Sequence, residues 1–275
     1  MNGKSRFERT AVGWRLIVDK LSVALPAAAG ESPHEAWTTP DLIAHFSERV
    51  ETPARRPEPP ILPPQSETII SLPKPESIEP ISFWAVLERR RTLYDYGTPI
   101  RVEQVGALLY HAARVQATVQ GTLYDTTLRP YPSAGAAYEL EIYALAAACD
   151  GLDAGFYHYR PDAHAFEPLP LSDEHAQTMM DDAIRQTANQ IDGVQMALYI
   201  TARMRRINWK NRALALAHQN TGVLIQTLYL TAAALDLAPC ALGGVDPLHF
   251  SRLTGISPSE EPLTGGFLVG STRGE

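Results

Sequence analysis

Cysteine is scarce in this chain, with only Cys149 and Cys240 among 275 residues. Two thiols that far apart make neither a disulfide framework nor a metal site. Both stand among apolar neighbours and read as small core residues, so no metal is expected. No uncharged apolar run of about 18 residues occurs, which excludes an ordinary transmembrane helix. The opening MNGKSRFERT carries charge, but no long apolar stretch follows it as in a secretory signal. The expectation is a soluble, cytoplasmic protein without a membrane partner. An excess of basic residues is also missing: 24 Lys and Arg stand against 31 Asp and Glu, a formal net charge of −7. That balance argues against nucleic-acid binding through a general basic surface. No Walker loop, G-x-G-x-x-G, H-E-x-x-H or G-x-S-x-G is present, so nucleotide binding through a Rossmann fingerprint has no support.

What is there is ordinary globular composition, 45% apolar, enough for a sizeable core. The length suits one large domain, or one domain with an appendage. Trp14, Leu16, Ile17 and Leu21 suggest a short helix, and residues 41–46 another. Residues 51–80 are proline-dense (TPARRPEPPILPPQ, LPKPESIEP), cannot form helix interiors, and read as an extended connector lying over the main body. The division is therefore an N-terminal extension, 1–80, and a compact domain, 81–275. Ser82 caps a predicted helix with Phe83, Val86 and Leu87 on its apolar face, running out near Arg90 or Arg91. Residues 101–115 and 172–192 read as amphipathic helices, ELEIYALAAA and VQMALYITAR as strands, and GFYHYRPDAHAFEPL as a hairpin about 160–162. ALAHQNTGVLIQTLYLTAAALDL is a long helix, apolar nearly all round, which belongs in a core or a subunit interface. A last strand covers GGFLVGSTR. Helices and strands interleave with a hairpin, so the fold class is α+β.

Four stretches carry possible chemistry. Arg89, Arg90 and Arg91 close a helix, followed by Thr92, and guanidinium forks with a hydroxyl suit a phosphate; a solvated basic helix end is the plainer reading. RPYPSAGAAYELEIY sets small residues, Pro132, Ser133, Ala134 and Gly135, directly before a strand. Such a loop is often a turn, but it also lets a flat ligand approach the main chain. Gly243 and Gly244 offer adjacent amides after a buried helix, where a simple turn is again the alternative. In RMRRINWKNR, Lys210 follows a buried strand and stands next to Trp209. It is either part of a solvated face or a lysine whose pKa is lowered by burial and by Arg206 and Arg212.

In this order the stretches resemble the nitroreductase-like flavoproteins. RRTLYDYG is similar to their R-R-S-x-R-x-F/Y opening. RPYPSAGAAYELEIY, followed by GLDAGFYHYRPDAHAFEPL, resembles more specifically the azoline dehydrogenases of thiazole/oxazole-modified peptide biosynthesis. Their pattern is R-x-x-P-S-G-G-x-x-Y-P-x-E-x-Y, then G-x-Y-x-Y. The glycine turn in LAPCALGGVD is similar too, and the likeness covers about 82–273. It implies a nitroreductase-like fold, a mixed central sheet flanked by helices, with FMN at a homodimer interface. By motif, Arg90, Thr92 and Tyr94, joined by Arg91, would meet the FMN phosphate and ribityl chain, with Arg273 a late phosphate contact. Pro132 to Gly135 would lie along the flavin ring, with Gly243 and Gly244 near its N5 and O4. Three departures stand out. Tyr94 replaces a basic residue, and Asn211 takes the tyrosine position of the family's Lys-Tyr pair, leaving Lys210 as the retained half. Glu139 occupies the usual proline position, while Glu141 is kept.

The resemblance implies an FMN-dependent dehydrogenase that oxidises thiazolines or oxazolines in a ribosomally made precursor peptide, with Lys210 as base or its assistant. A cyclodehydratase is an implied partner. Two other readings stand beside it: an NAD(P)H-dependent nitroreductase-like enzyme acting on small electrophiles, and a non-catalytic scaffold of the same fold.

Overall fold

The computed structural model describes residues 5–10, 13–18, 58–75, 80–121, 124–208, 210 and 212–273. The chain divides into two compact units, Met1–Arg49 and Val50–Glu275. In the first, β1 (Ser5–Thr10) pairs antiparallel with β2 (Gly13–Val18), Thr10 opposite Gly13. The helix expected through Trp14, Leu16 and Ile17 is thus a strand. Aromatic and branched residues there fit a pleated ribbon, and Gly13 stands where the hairpin turns. The helix expected at 41–46 lies outside the described residues.

The second unit is built on a seven-stranded sheet. Its strands are β3 (Ile70–Ser71), β7 (Leu140–Ala146), β9 (Gly155–Arg160), β10 (Ala165–Leu169), β11 (Met196–Ala202), β12 (Leu237–Leu242) and β13 (Leu263–Ser271). The spatial order is β12-β13-β11-β7-β9-β10-β3, every neighbour antiparallel. Smaller pairs are β4 (Ile100–Arg101) with β8 (Cys149–Asp150), parallel, and β5 (Ala117–Val119) with β6 (Thr126–Leu128), antiparallel. The helices are α1 (Phe83–Arg89), α2 (Val102–Ala113), α3 (Asp173–Gln186), α4 (Met204–Ile207), α5 (Ala213–Ala234) and α6 (Pro247–Thr254).

Strand periodicity sorts the core into two layers. Leu140, Ile142 and Ala144 of β7 and Leu198 and Ile200 of β11 join α2 and α5 on one face. Tyr143, Leu145, Ala197 and Tyr199, at the alternate positions, join α3 and α6 on the other. Both faces are covered, which is why these strands read as nearly continuous apolar runs. Helix α5 crosses its face so closely that a Cβ on Gly265 would stand 2.6 Å from the Thr221 methyl. Burying Leu224 and Leu228 there contributes about 1.5–3 kcal/mol each.

Ser82 caps α1 as expected, accepting from the Ala85 N–H at 3.1 Å. Of its apolar face only Val86 is buried; Phe83 and Trp84 are 59% and 74% exposed. Helix α3 stops at Gln186, short of the expected 192, because Ala188 and Asn189 turn the chain through left-handed backbone. Part of the proline-dense segment is tied to the unit. β3 extends the sheet edge, Leu72 is buried, and the Pro59 and Pro60 carbonyls accept from Arg203 at 2.9 and 3.2 Å. Among the described residues no helix is long and apolar enough to cross a membrane.

Candidate functional site

Arg90 is the C-cap of α1, its N–H donating to the Val86 carbonyl at 2.9 Å. From there the chain runs alongside β12, where the Leu93 N–H donates to the Pro239 carbonyl. The Arg90 guanidinium lies 5.5 Å from the Tyr229 ring centroid. The Tyr229 hydroxyl sits 2.9 Å from Thr92 Oγ1 and accepts from the Ala241 N–H at 2.8 Å. One α5 tyrosine therefore ties the exit of α1 to β12 and holds Arg90 and Thr92 together. Among the described residues no carboxylate pairs with Arg90, so its donors suit an anion. Arg91 is exposed and donates to the Arg90 carbonyl at 2.9 Å.

Tyr94 and Arg273 border one cavity of about 590 Å³, together with Gly97 and Gln195. Arg273 is exposed and engaged by Asp95, Nε to Oδ1 2.9 Å. Gly243 and Gly244 follow β12 and are exposed. A Cβ on Gly243 would meet nothing within 4 Å, and one on Gly244 only the Gln186 side chain at 3.6 Å. Packing does not demand glycine at either position, and their main chain is open to a ligand. Gly244 borders a second cavity, about 410 Å³, with Tyr199, Phe250 and Gln186.

Ser133, Ala134, Gly135 and Lys210 do come together. Ala134–Ala136 form a single 3-10 turn in which Gly135 takes φ 61°, a conformation glycine adopts without penalty. Ala136 and Tyr138 also have positive φ, 52° and 48°, so the turn needs anchors. Asn220 of α5 supplies them. Its Oδ1 accepts from the Ala134 N–H at 3.1 Å, and its Nδ2 donates to Ser133 Oγ at 3.2 Å and Glu139 Oε1 at 2.7 Å. Ser133 Oγ in turn donates to Glu139 Oε2 and accepts from the Tyr138 N–H. Glu139 and Asn220 are both buried, and their polar ends are satisfied by each other, by Ser133 and by the Ala134 N–H. Pro132 and Gly135 remain exposed at the tip.

Lys210 Nζ donates to the Ala134 carbonyl and Tyr124 Oη to the Gly135 carbonyl. Burial lowers the Lys210 pKa; Glu139 opposes the shift and Arg206 adds to it. Arg206 spans the back of the turn, donating to the carbonyls of Ala137 (2.8 Å), Asp125 (2.6 Å) and Glu58 (2.6 Å). Trp209 and Asn211, the other residues of the Lys210 argument, lie outside the described residues.

Behind the turn a buried chain of charges crosses the sheet. Arg203 Nε lies 2.8 Å from Glu141 Oε1, an ion pair too bent for a hydrogen bond. Glu141 Oε2 meets His158 Nε2 at 3.0 Å, and His158 Nδ1 meets Glu167 Oε2 at 3.1 Å. Glu167 Oε1 accepts from Arg160 Nη1 at 3.0 Å, and Arg160 also binds Asp162.

Sequence reasoning passed over Asn220, Glu139 and Tyr124 as site residues. Asn220 had a signal: an amide inside a long apolar helix must find partners if buried. Tyr124, in a polar loop, had none.

The predicted site residues thus lie in separate groups on one chain. Arg90 and Thr92 meet at Tyr229, Tyr94 and Arg273 share a cavity, the glycine pair stands open beyond β12, and Lys210 sits on the Ser133–Gly135 turn. Several known proteins share the sequence or fold that carries them. A provisionally named nitroreductase of Methanocaldococcus jannaschii is 28% identical over 169 residues, 60% of this chain and 80% of that protein. The crystal structure of a provisionally named nitroreductase from Ralstonia eutropha JMP134 superimposes with a TM-score of 0.60 at 21% identity. It covers 83% of this chain and 99% of that one. The Escherichia coli microcin synthetase McbBCD complex, solved with truncated pro-MccB17 bound, contains a chain that matches with a TM-score of 0.55 at 18% identity. The match covers 86% of this chain and 96% of that chain. The nitroreductase family pattern runs from residue 87 to 271, through every element from the end of α1 to β13, and the chain belongs to the nitroreductase family.

Proposed function

We propose that this protein is an FMN-dependent dehydrogenase that oxidises thiazoline or oxazoline rings in a ribosomally synthesised peptide to thiazoles or oxazoles. The observation that carries the reading is Lys210, an amine of lowered pKa seated on an exposed, left-handed glycine turn. Glycine leaves the main chain of such a turn bare, and a lysine of lowered pKa beside it serves more readily as a base than an ordinary one. The residues fit FMN. Arg90 has charge-assisted donors for a phosphate and no carboxylate partner among the described residues, with the Thr92 hydroxyl alongside. The Gly243–Gly244 main chain is open. The microcin synthetase complex was solved with a precursor peptide bound; a peptide substrate and a cyclodehydratase partner for this chain belong to the proposal.

Bound FMN would supply the two-electron acceptor, taking hydride from one azoline ring carbon, with molecular oxygen restoring it afterwards. Lys210 Nζ takes the proton from the adjacent ring carbon, and the new ring double bond forms between the two. The Ala134 carbonyl then holds the ammonium. Asn220 and Glu139 keep the turn fixed while the charge changes, so the amine stays aimed. The groups of site residues are joined in a homodimer, one protomer presenting Arg90 and Gly243–Gly244 and the other the Lys210 turn. Phe83 and Trp84, exposed on α1, and the exposed stripe His218, Gly222 and Gln226 of α5 support such an interface.

The test is direct. Purified protein should release FMN, sediment as a dimer, and remove two hydrogens from a synthetic azoline peptide by mass spectrometry. The Methanocaldococcus relative favours one other reading, an NAD(P)H-dependent nitroreductase. Fast NADPH oxidation with a nitroaromatic and no azole from the peptide would select it. Arg90→Ala should weaken FMN binding by roughly one to two decades, about 1.5–3 kcal/mol, in a fluorescence titration. Unchanged affinity would remove Arg90 from the site.

A further inference from the structure

We propose that Tyr124 is a second catalytic group of this site, a hydrogen-bond donor to the same substrate whose proton Lys210 removes. The proposal rests on the azoline-oxidation reading above and adds a residue to it. Tyr124 precedes β6, and Lys210 lies between α4 and α5, so two distant segments deliver the two side chains. They donate to successive carbonyls of one exposed turn, Lys210 to Ala134 and Tyr124 to Gly135. Their polar ends share the space over the Gly135 α-carbon. A methyl group there would run into Lys210 Nζ and stand 3.4 Å from Tyr124 Oη. A ligand approaching the turn from this side therefore meets an amine and a phenol at once.

The Tyr124 ring is fixed for this task. The Arg206 guanidinium stacks 5.1 Å from its centroid while bonding the backbone on either side of the site, at Asp125 and Ala137. Burial acts on the two groups in opposite senses. It lowers the Lys210 pKa and raises that of Tyr124, against a smaller opposing effect of Arg206 on the phenol. Environments that push two neighbouring groups apart in this way produce a base and a donor. As Lys210 Nζ accepts the carbon-bound proton, negative charge builds on the oxygen of the substrate amide attached to that carbon, as in an enolate. The Tyr124 hydroxyl turns from the Gly135 carbonyl to donate to that acceptor, keeping its own proton, with no bond made or broken at the tyrosine. A hydroxyl that only tethers its loop to the turn is the competing role.

Four proteins separate the two roles: wild type, Tyr124→Phe, Lys210→Ala and the double variant, each assayed on a synthetic azoline peptide. Tyr124→Phe keeps the ring over Arg206, so melting temperature and FMN affinity should match wild type while kcat falls on the order of a hundredfold. Because groups acting as a unit are non-additive, the double variant should be no slower than Lys210→Ala. Wild-type turnover in Tyr124→Phe overturns the assignment and leaves the proposed function standing. A loss that tracks weaker FMN binding or a lower melting temperature, and that adds to the Lys210→Ala loss, also overturns it, because the hydroxyl is then a tether. A wild-type protein that forms no azole overturns both.

Discussion

Lys210→Ala is expected to lose two to four decades of azole formation while retaining FMN and the dimer, the range that a positioned general base contributes. An ordinary lysine is almost wholly protonated at neutral pH and is a poor base. Here burial lowers the pKa, Arg206 lowers it further, and Glu139 opposes without cancelling the shift. Azole formation should accordingly rise with pH through the Lys210 pKa, at a value below that of a free lysine. The turn itself should survive the substitution, since Asn220 holds Ala134, Ser133 and Glu139 independently of Lys210. Lys210→Arg should not rescue turnover, because a guanidinium stays protonated. Full turnover by Lys210→Ala would move the base elsewhere. Tyr131 is a poor substitute: it is 1% exposed, and burial pushes its phenol up to about 12.

How far the sequence could be read depended on whether a signal was local. β7 and β11 were legible because burial on both faces leaves an apolar run, and the β9–β10 hairpin because aromatics flank Arg160-Pro161-Asp162. The cap on Ser82 was legible from a single residue. Trp14, Leu16 and Ile17 were misread because so few apolar positions fit either period, and only the pairing with β1 decides between them. The end of α3 depended on left-handed Ala188 and Asn189, residue types that do not announce that conformation. At the site, each motif could be seen alone. That Lys210 sits on Gly135, 75 positions earlier in the chain, is a product of tertiary folding. So is the clasp of Asn220 on Glu139.

Glu141→Ala should destabilise the protein by about 3–5 kcal/mol, the cost of leaving buried charges without their partner. For a unit of this size that is a fall of roughly 6–20 °C in melting temperature. Glu141 is 2% exposed and stands between Arg203 and His158, which are 2% and 0% exposed. Removing its carboxylate takes from Arg203 and His158 the nearer of their carboxylates, leaving Glu58 at 3.8 Å from Arg203 and Glu167 at 3.1 Å from His158. The pH dependence of melting separates this from a simple cavity. Burial alone would raise the Glu141 pKa, but Arg203 and His158 outweigh it and hold it below the ordinary 4.5. Its contribution is therefore present above about 4.5 and lost as pH falls through the lower folded value. Burial alone would lower the His158 pKa, but Glu141 and Glu167 outweigh it and hold it above the ordinary 6.5. That contribution is complete below about 6.5 and disappears as pH rises through the higher folded value. Arg160 and Asp162 continue the chain beyond Glu167. Glu261, bonded to Tyr143 and Thr201 beside it, is raised by burial and by Glu141, so its relief in the variant offsets part of the loss. Wild type should thus be most stable between about 4.5 and 6.5 as far as this chain of charges decides. In Glu141→Gln, which keeps the volume but not the charge, His158 loses its nearer carboxylate, so the alkaline decline should be smaller and should end at lower pH. Melting curves at a series of pH values measure this. A Gln variant with the wild-type profile, merely displaced by a constant amount, would show that packing rather than charge holds these strands.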